Sequence, residues 1–371
     1  MNRTSVPVML LVAGLVVSGA GILGLACEGT APQDYRRQLL RSWVEDSLLP
    51  RYAVAAEHAG RLAEGASSFC ASPSGEQLGA LQLQWHLARA AWKQTQIFGF
   101  GPYSELPLRL GPKIDEWPAR PEAVNEAIDA GVPIDLAFVE SLGVYARGFS
   151  ATEYLLWGQG GDALAELSEQ ARRCRYLVAA SQDLHARLQD LHVAWNPQQG
   201  DFLSELTEAG RDSETYDSLH VAFGEVVNRM GFLVEDIRRD KLGRPLGVTS
   251  NTGPDPLVVE SLFSGRSVDD IRDNLIGFER LFFGERDGEG GGLNGYLERR
   301  GKNFGPPVAA ALARVRATLD EIRSPLSQAV VEQGPVVQRA IDELAELQRL
   351  IQSDIMNTLS LTLSFNDNDG D

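Results

Sequence analysis

Apolar residues along this chain recur at intervals of three and four, the spacing that gathers side chains on one face of an α-helix. No stretch alternates with the period of two that a half-buried strand requires. Leu78, Leu81, Trp85, Ala88 and Trp92 form one such stripe, and Ser74 stands where a side-chain cap for that helix belongs. A second stripe runs through Leu177, Leu184, Leu188, Leu191 and Trp195, and a third through Leu219, Phe223, Val226, Met230, Leu233 and Ile237. Val337, Ile341, Leu344, Ile351 and Ile355 make a fourth. Stripes of this width are core faces of packed helices rather than cofactor boxes, so the pattern predicts an all-α protein.

Glycine and proline divide the pattern at 99–121, 196–201 and 242–256. The segment 196–211 is the expected linker between two helical-bundle halves, 33–195 and 212–363. Their similar size suggests an old duplication, although no residue-level repeat accompanies it. Residues 287–295, containing Gly-Glu-Gly-Gly-Gly, read as a loop, a plain solvated connection in preference to a mobile lid. The closing 364–371 resembles the start of a calcium loop but lacks the acidic residue that would complete it, and is expected to be a disordered acidic tail.

The chain opens differently. Residues 6–26 are apolar or small without interruption, and Arg3 is the only charge before Glu28. This is the pattern of an export signal. Its last residue, Ala26, precedes Cys27 as in the lipobox of bacterial lipoproteins, with Gly24 where an aliphatic residue is usual. The expectation is a signal peptide over 1–26, a lipidated Cys27 anchoring the protein by its acyl chains at about 0.8 kcal/mol per buried methylene, and a linker over 27–32. An uncleaved membrane helix is the alternative, since the run approaches the roughly 20 residues needed to span a bilayer. Either way the membrane is a partner, and the domain belongs to the bacterial cell envelope on its periplasmic or surface side.

A formal net charge of -17 disfavours nucleic acid as a partner, because a phosphate backbone calls for a basic face. With Cys27 set aside, Cys70 and Cys174 remain, either bridged or as two free buried thiols. A bridge would stabilise by roughly 4 to 5 kcal/mol in the chain-entropy description. Nothing in the cysteine or histidine spacing suggests zinc.

The segment 148–158, Gly-Phe-Ser-Ala-Thr-Glu-Tyr-Leu-Leu-Trp-Gly, places Ser150 and Glu153 three residues apart, on one helix face. Ser followed by Glu at the third position is also a capping pair, and this reading stands beside a functional one. Common catalytic patterns are missing from the sequence: there is no H-E-x-x-H, Ser150 lacks the following x-Gly of a hydrolase elbow, and Asp217-x-x-His220 is the nearest approach to a di-iron Glu-x-x-His pair. Of the five histidines, His185, His192 and His220 are expected on solvated helix surfaces rather than in a cluster.

That segment resembles the signature of the imelysin family, G-x-H-x-x-E followed by an apolar turn and Trp-Gly. Trp85, Arg89, Trp92 and Thr95 running into Phe98-Gly99-Phe100-Gly101-Pro102 are similar to the family's Trp/Arg helix and its Phe-Gly-Pro turn. Ile114-Asp115-Glu116-Trp117-Pro118 resembles its Asp-x-Trp-Pro segment. Lys241-Leu242-Gly243-Arg244-Pro245-Leu246-Gly247, Glu260-Ser261 and 270–284 are similar in order to its later block. The resemblance spans nearly all of the chain after the export segment.

It implies two helical bundles with the marked residues gathered between them, an exported or lipid-anchored location, and a link to iron or other metal uptake; some members are classed as metallopeptidases. Two departures stand at the important place. Ser150 replaces the motif histidine, and Gln96 replaces a glutamate that many members carry after Thr. A hydroxyl and a neutral amide are weak ligands for zinc or iron, which leaves Glu153 as the one weak metal candidate and weighs against enzymatic activity. The expected function is therefore non-catalytic binding of a small ligand or envelope protein in a cleft between the halves, with no cofactor assigned and a metal ion left open. A metallopeptidase and a structural interaction module for a membrane partner are the alternatives. The ligand-site candidates are Arg89, Gln96, Asp115, Trp117, Ser150, Glu153, Tyr154 and Trp157, with Glu116 and Tyr103 beside them.

Overall fold

Each of the four apolar stripes is buried on a helix of the computed structural model, which describes residues 32–285 and 291–363. The expected export signal, the Cys27 anchor, the 364–371 tail and residues 286–290 of the glycine-rich loop lie outside the described residues. Among those described there is no strand, and no helix is long and apolar enough to cross a membrane.

In the first half, helices Leu49–Ala71, Gly75–Lys93 and Ala171–Trp195 lie side by side. The second of these starts as the sequence predicts: Ser74 Oγ accepts the Gln77 N–H at 3.3 Å. Cys70 and Cys174 are joined in a disulfide with Cα atoms 5.7 Å apart, tying the end of the first helix to the start of the third. The helix Gly148–Trp157, which carries the motif, packs across this bundle against Gly75–Lys93 and Ala171–Trp195.

The second half is built from helices Leu219–Asp236, Ser267–Phe283, Gly305–Glu321 and Gly334–Arg349. One continuous apolar core runs through both halves. They meet where Gly75–Lys93 crosses Ser267–Phe283, and a glycine permits the crossing: a Cβ at Gly277 would lie 2.2 Å from the Gln94 carbonyl oxygen.

The breaks are less open than the sequence suggests. Residues 99–121 hold a 3-10 turn at Gly101–Tyr103 and a short helix at Gly111–Ile114. Phe202–Thr207 is helical inside the expected linker, and the helix Gly292–Arg299 begins within the expected 287–295 loop. The third break begins late, because Leu219–Asp236 continues into a π-helical segment, Ile237–Gly243, and a last turn, Arg244–Leu246. Pro245 sits in that last turn, just before the helix ends at Gly247 with φ +83°.

Candidate functional site

The motif helix is fixed at its start by close backbone approach. Gly148 has φ +72°, and a Cβ there would lie 2.4 Å from the Ile114 carbonyl oxygen, so only glycine fits. Beside it Arg147 Nε donates to Asp183 Oδ2 at 2.8 Å in a buried pair that ties the helix to Ala171–Trp195. Ser150 does not cap: the helix begins at Gly148, and Ser150 Oγ donates to the Glu116 carbonyl at 2.6 Å. This pins the segment that carries Asp115 against the motif helix.

Glu153, 2% exposed, points into the second half. Its Oε1 accepts the Ser264 backbone N–H at 2.9 Å and the Ser264 hydroxyl at 2.6 Å. Next to this contact lies a buried ionic network. Arg89 donates through Nη1 to Asp115 Oδ1 at 2.9 Å and through Nε to Asp270 Oδ2 at 2.8 Å, and its Nη2 lies 3.2 Å from Glu260 Oε1. Lys93, one helical turn on, meets Asp115 Oδ2 at 2.5 Å and also Glu260. Trp92 Nε1 donates to Asp115 Oδ2 at 2.8 Å. From the other side Lys241 reaches Glu260 Oε2 at 2.9 Å, Asn274 Oδ1 at 2.7 Å and Gln96 Oε1 at 3.0 Å. Arg266 pairs with Asp270 and with Asp273, the latter at 2.6 Å.

Arg89, Lys93, Lys241 and Arg266 thus face Asp115, Glu260, Asp270 and Asp273, four cations against four carboxylates. Such a cluster persists in an apolar interior only when its members satisfy one another. Burial alone would raise the proton affinity of Asp115, but Arg89 and Lys93 outweigh it and hold the carboxyl well below the usual range. Asp270 is lowered in the same way, burial being outweighed by Arg89, Lys93 and Arg266. Burial pulls the Lys241 ammonium below its ordinary value against the attraction of Glu260. Glu153 is the acid left over: burial pushes it up to about 7 despite Arg89 and the Ser264 hydrogen bonds.

The sequence candidates therefore separate. Arg89, Gln96, Asp115 and Glu153 converge on the interface between the halves, and Arg89 holds the protein's own carboxylates rather than a ligand's. Tyr154 turns away to donate its hydroxyl to Asn125 Oδ1 at 3.1 Å under Arg173. Trp157 packs edge-on to Trp85 and His86, each with centroids 5.1 Å away, and lines a separate cavity of about 750 Å³ with Phe263 and Leu262. The histidines have unrelated partners: His185 Nδ1 lies against the Ala56 carbonyl, His220 Nε2 against that of Ser360.

Several members of the network carried no site expectation of their own: Lys93, Lys241, Glu260, Arg266, Asp270 and Asn274. Lys93 left a signal, a charge four residues after Arg89 and next to the apolar stripe. Lys241 was legible only as part of a family segment, because its placement depends on the π-helical turn, a feature often found where a helix serves a site.

A metal ion at the motif does not fit these residues. Ser150 is committed to a backbone carbonyl, Gln96 to Lys241 and Asn274, and Glu153 to Ser264. No group of three His, Cys, Asp or Glu set to hold a metal exists among the described residues.

Open space lies beside the network. A cavity of about 840 Å³ is lined by Gln96, Tyr103, Asp115 and Trp117 of the first half and by Phe232 and Lys241 of the second, with further charged groups at its walls. The network is its floor. Tyr103, stacked on Trp92 with centroids 5.8 Å apart, and half-buried Trp117 supply aromatic walls.

Comparison with known proteins matches residues 48–351 to the profile of the imelysin family. The chain is 26% identical over 314 residues to iron-regulated protein A of Synechococcus elongatus, covering 84% of this chain and 82% of that protein. Its fold is similar to that of an imelysin-like protein from Psychrobacter arcticum, with TM-score 0.74, 21% identity, and coverage of 90% of this chain and 98% of the other. It is also similar to the fold of a Parabacteroides distasonis protein provisionally identified as an iron-regulated protein A precursor, with TM-score 0.76, 20% identity and coverage of 90% and 97%.

Proposed function

We propose that this chain, which belongs to the imelysin family, is a non-catalytic, iron-linked binding protein held at the bacterial cell envelope through Cys27, and that it takes its ligand in the cavity between the two halves. The observation that carries this reading is the pairing of an 840 Å³ cavity with a motif whose side chains are all engaged within the protein. In this reading Arg89, Asp115 and Glu153 are the clasp that fixes the cavity floor, and Gln96, Tyr103 and Trp117 touch the ligand. The link to iron is supported by the names of two relatives. The size of the cavity favours a molecule or a complex over a bare ion, since pockets for small organic ligands begin at about 300 Å³.

The test offers the full chain, in detergent and purified without chelator, ferrous iron, ferric citrate, ferric nitrilotriacetate, zinc and copper, and measures retained metal by elemental analysis. Iron retained by the native chain and lost in Ser104→Trp, which adds bulk at the cavity wall, is the expected result. Stoichiometric zinc that depends on Glu153, together with hydrolysis of casein, would replace this reading with a metallopeptidase.

A further inference from the structure

Two arginines line the same cavity, one from each half: Arg109 of the 104–110 loop and Arg244 of the turn that follows the Lys241 π-segment. Both residues are exposed, and neither closes an ion pair among the described residues. The other charged groups of the cavity are differently placed. Asp115 is saturated by Arg89, Lys93 and Trp92, Lys241 donates to Gln96 and Asn274 and pairs with Glu260, and Arg229 is paired with Glu225 at 2.7 Å. Asp236 is engaged as well. Glu116 and Asp240 also line the cavity and feel Arg109 and Arg244, yet both hold their protons more tightly than usual, chiefly through burial and, for Glu116, next through Asp115. Guanidinium cannot relieve itself that way, because it stays charged at any pH the protein meets.

Arg109 is moreover held at φ +39°, a left-handed conformation that a long side chain adopts only under constraint. The constraint is visible: Arg109 N–H donates to the Glu105 carbonyl at 2.7 Å, Leu110 N–H to that of Pro102 at 3.1 Å, and Lys113 Nζ to that of Leu108 at 2.8 Å. Backbone strain of this kind collects at ligand clamps, where it aims a side chain that a relaxed loop would not.

Resting on the reading of this cavity as the ligand site, we propose that Arg109 and Arg244 are the two jaws of an anion clamp, and that the ligand is a small organic polycarboxylate, taken either free or as its ferric chelate. Two planar forks lining one cavity suit a molecule with at least two carboxylates, each accepting paired N–H bonds. A bare cation would meet two guanidinium groups that no carboxylate among the described residues closes into an ion pair.

The experiment is calorimetric titration of the full chain in detergent with citrate, ferric citrate and, as a cationic control, putrescine. Citrate or ferric citrate is expected to bind, and putrescine is not. Arg109→Asn, which tolerates the left-handed backbone, and Arg244→Gln are each expected to weaken binding about tenfold or more, the scale of a charge-assisted hydrogen bond. Arg109→Lys should recover only part of it. Ferric citrate binding more tightly than citrate assigns the chelate, and equal binding assigns the free polycarboxylate. The clamp is overturned if both arginine variants bind either anion as the native chain does, or if iron offered without carboxylates is retained in a Ser104→Trp-sensitive manner while both anions fail. No binding of any probe, with Ser104→Trp indistinguishable from native, would instead remove the cavity reading itself, and the clamp with it.

Discussion

Arg89 of the first helical half and Asp270 of the second are joined by a 2.8 Å charge-assisted hydrogen bond with almost no exposure to solvent at either side chain. The bond spans 181 positions of sequence and belongs to the network that also holds Lys93, Asp115, Glu260 and Lys241. The two halves therefore share a charged interior as well as an apolar one. Asp270→Asn keeps the shape and removes the charge, leaving Arg89 under-compensated. We expect a loss of about 3–5 kcal/mol in unfolding free energy by urea titration, the cost of breaking a buried pair from one side. An exposed pair such as Arg61–Glu57, broken by Glu57→Gln, is expected to change stability by well under about 1 kcal/mol.

Glu153 gives the stability a pH dependence of defined sign. Its carboxyl titrates at about 7 in the fold, against the ordinary 4.5 of an unfolded chain. The native state holds the proton more tightly, so this contribution is complete below the unfolded value and is lost as pH rises through the folded one. Glu153→Gln can still accept from Ser264 but cannot ionise. It is expected to exceed the native chain in stability at about pH 8, by on the order of 3 kcal/mol, and to flatten the fall in unfolding midpoint across the interval between the two values. Asp115 and Asp270 act in the opposite direction: their lowered values stabilise above the ordinary carboxylate range, and that stability is lost as pH falls below it.

Two glycines should respond with opposite signs. Gly277→Ala drives a methyl into the Gln94 carbonyl at the crossing of the halves, and about 1–3 kcal/mol of destabilisation is expected. Gly79, in an exposed helix interior with open space around its Cβ position, should gain about 0.5–1 kcal/mol on change to Ala. Thermal unfolding of the two variants beside the native chain checks both.

The disulfide closes a sequence separation of 104 residues. Cys174→Ser is expected to lower stability by roughly 4–5 kcal/mol. Thiol titration of the denatured, unreduced chain should find neither Cys70 nor Cys174 free.

Periodicity exposed the helices well, because a stripe such as Leu78, Leu81, Trp85, Ala88, Trp92 has one geometric interpretation, and the family segments located the interface through Arg89, Asp115 and Glu153. What could not be read was how charges pair across the chain. Nothing local in Asp270 or Glu260 indicates that each would face Arg89, and the π-helical turn that carries Lys241 into the cavity leaves no periodic trace. Ser150 and Tyr154 show the opposite limit: both lie in the motif, one helical turn apart, yet Ser150 meets the Glu116 carbonyl and Tyr154 meets Asn125, partners set by the segments packed against the helix. Tyr103, Trp117, Tyr154 and Trp157, neighbours of the motif segments in sequence, end on three different surfaces.

The central claim is that the motif carboxylate closes a structural clasp while the ligand occupies the cavity beside it. The most direct test is ferric citrate retention by the native chain, Glu153→Gln and Ser104→Trp side by side at one pH. Retention in Glu153→Gln close to native, with loss in Ser104→Trp, is the predicted result. Loss in Glu153→Gln with native retention in Ser104→Trp would place the ligand on the motif and contradict the claim.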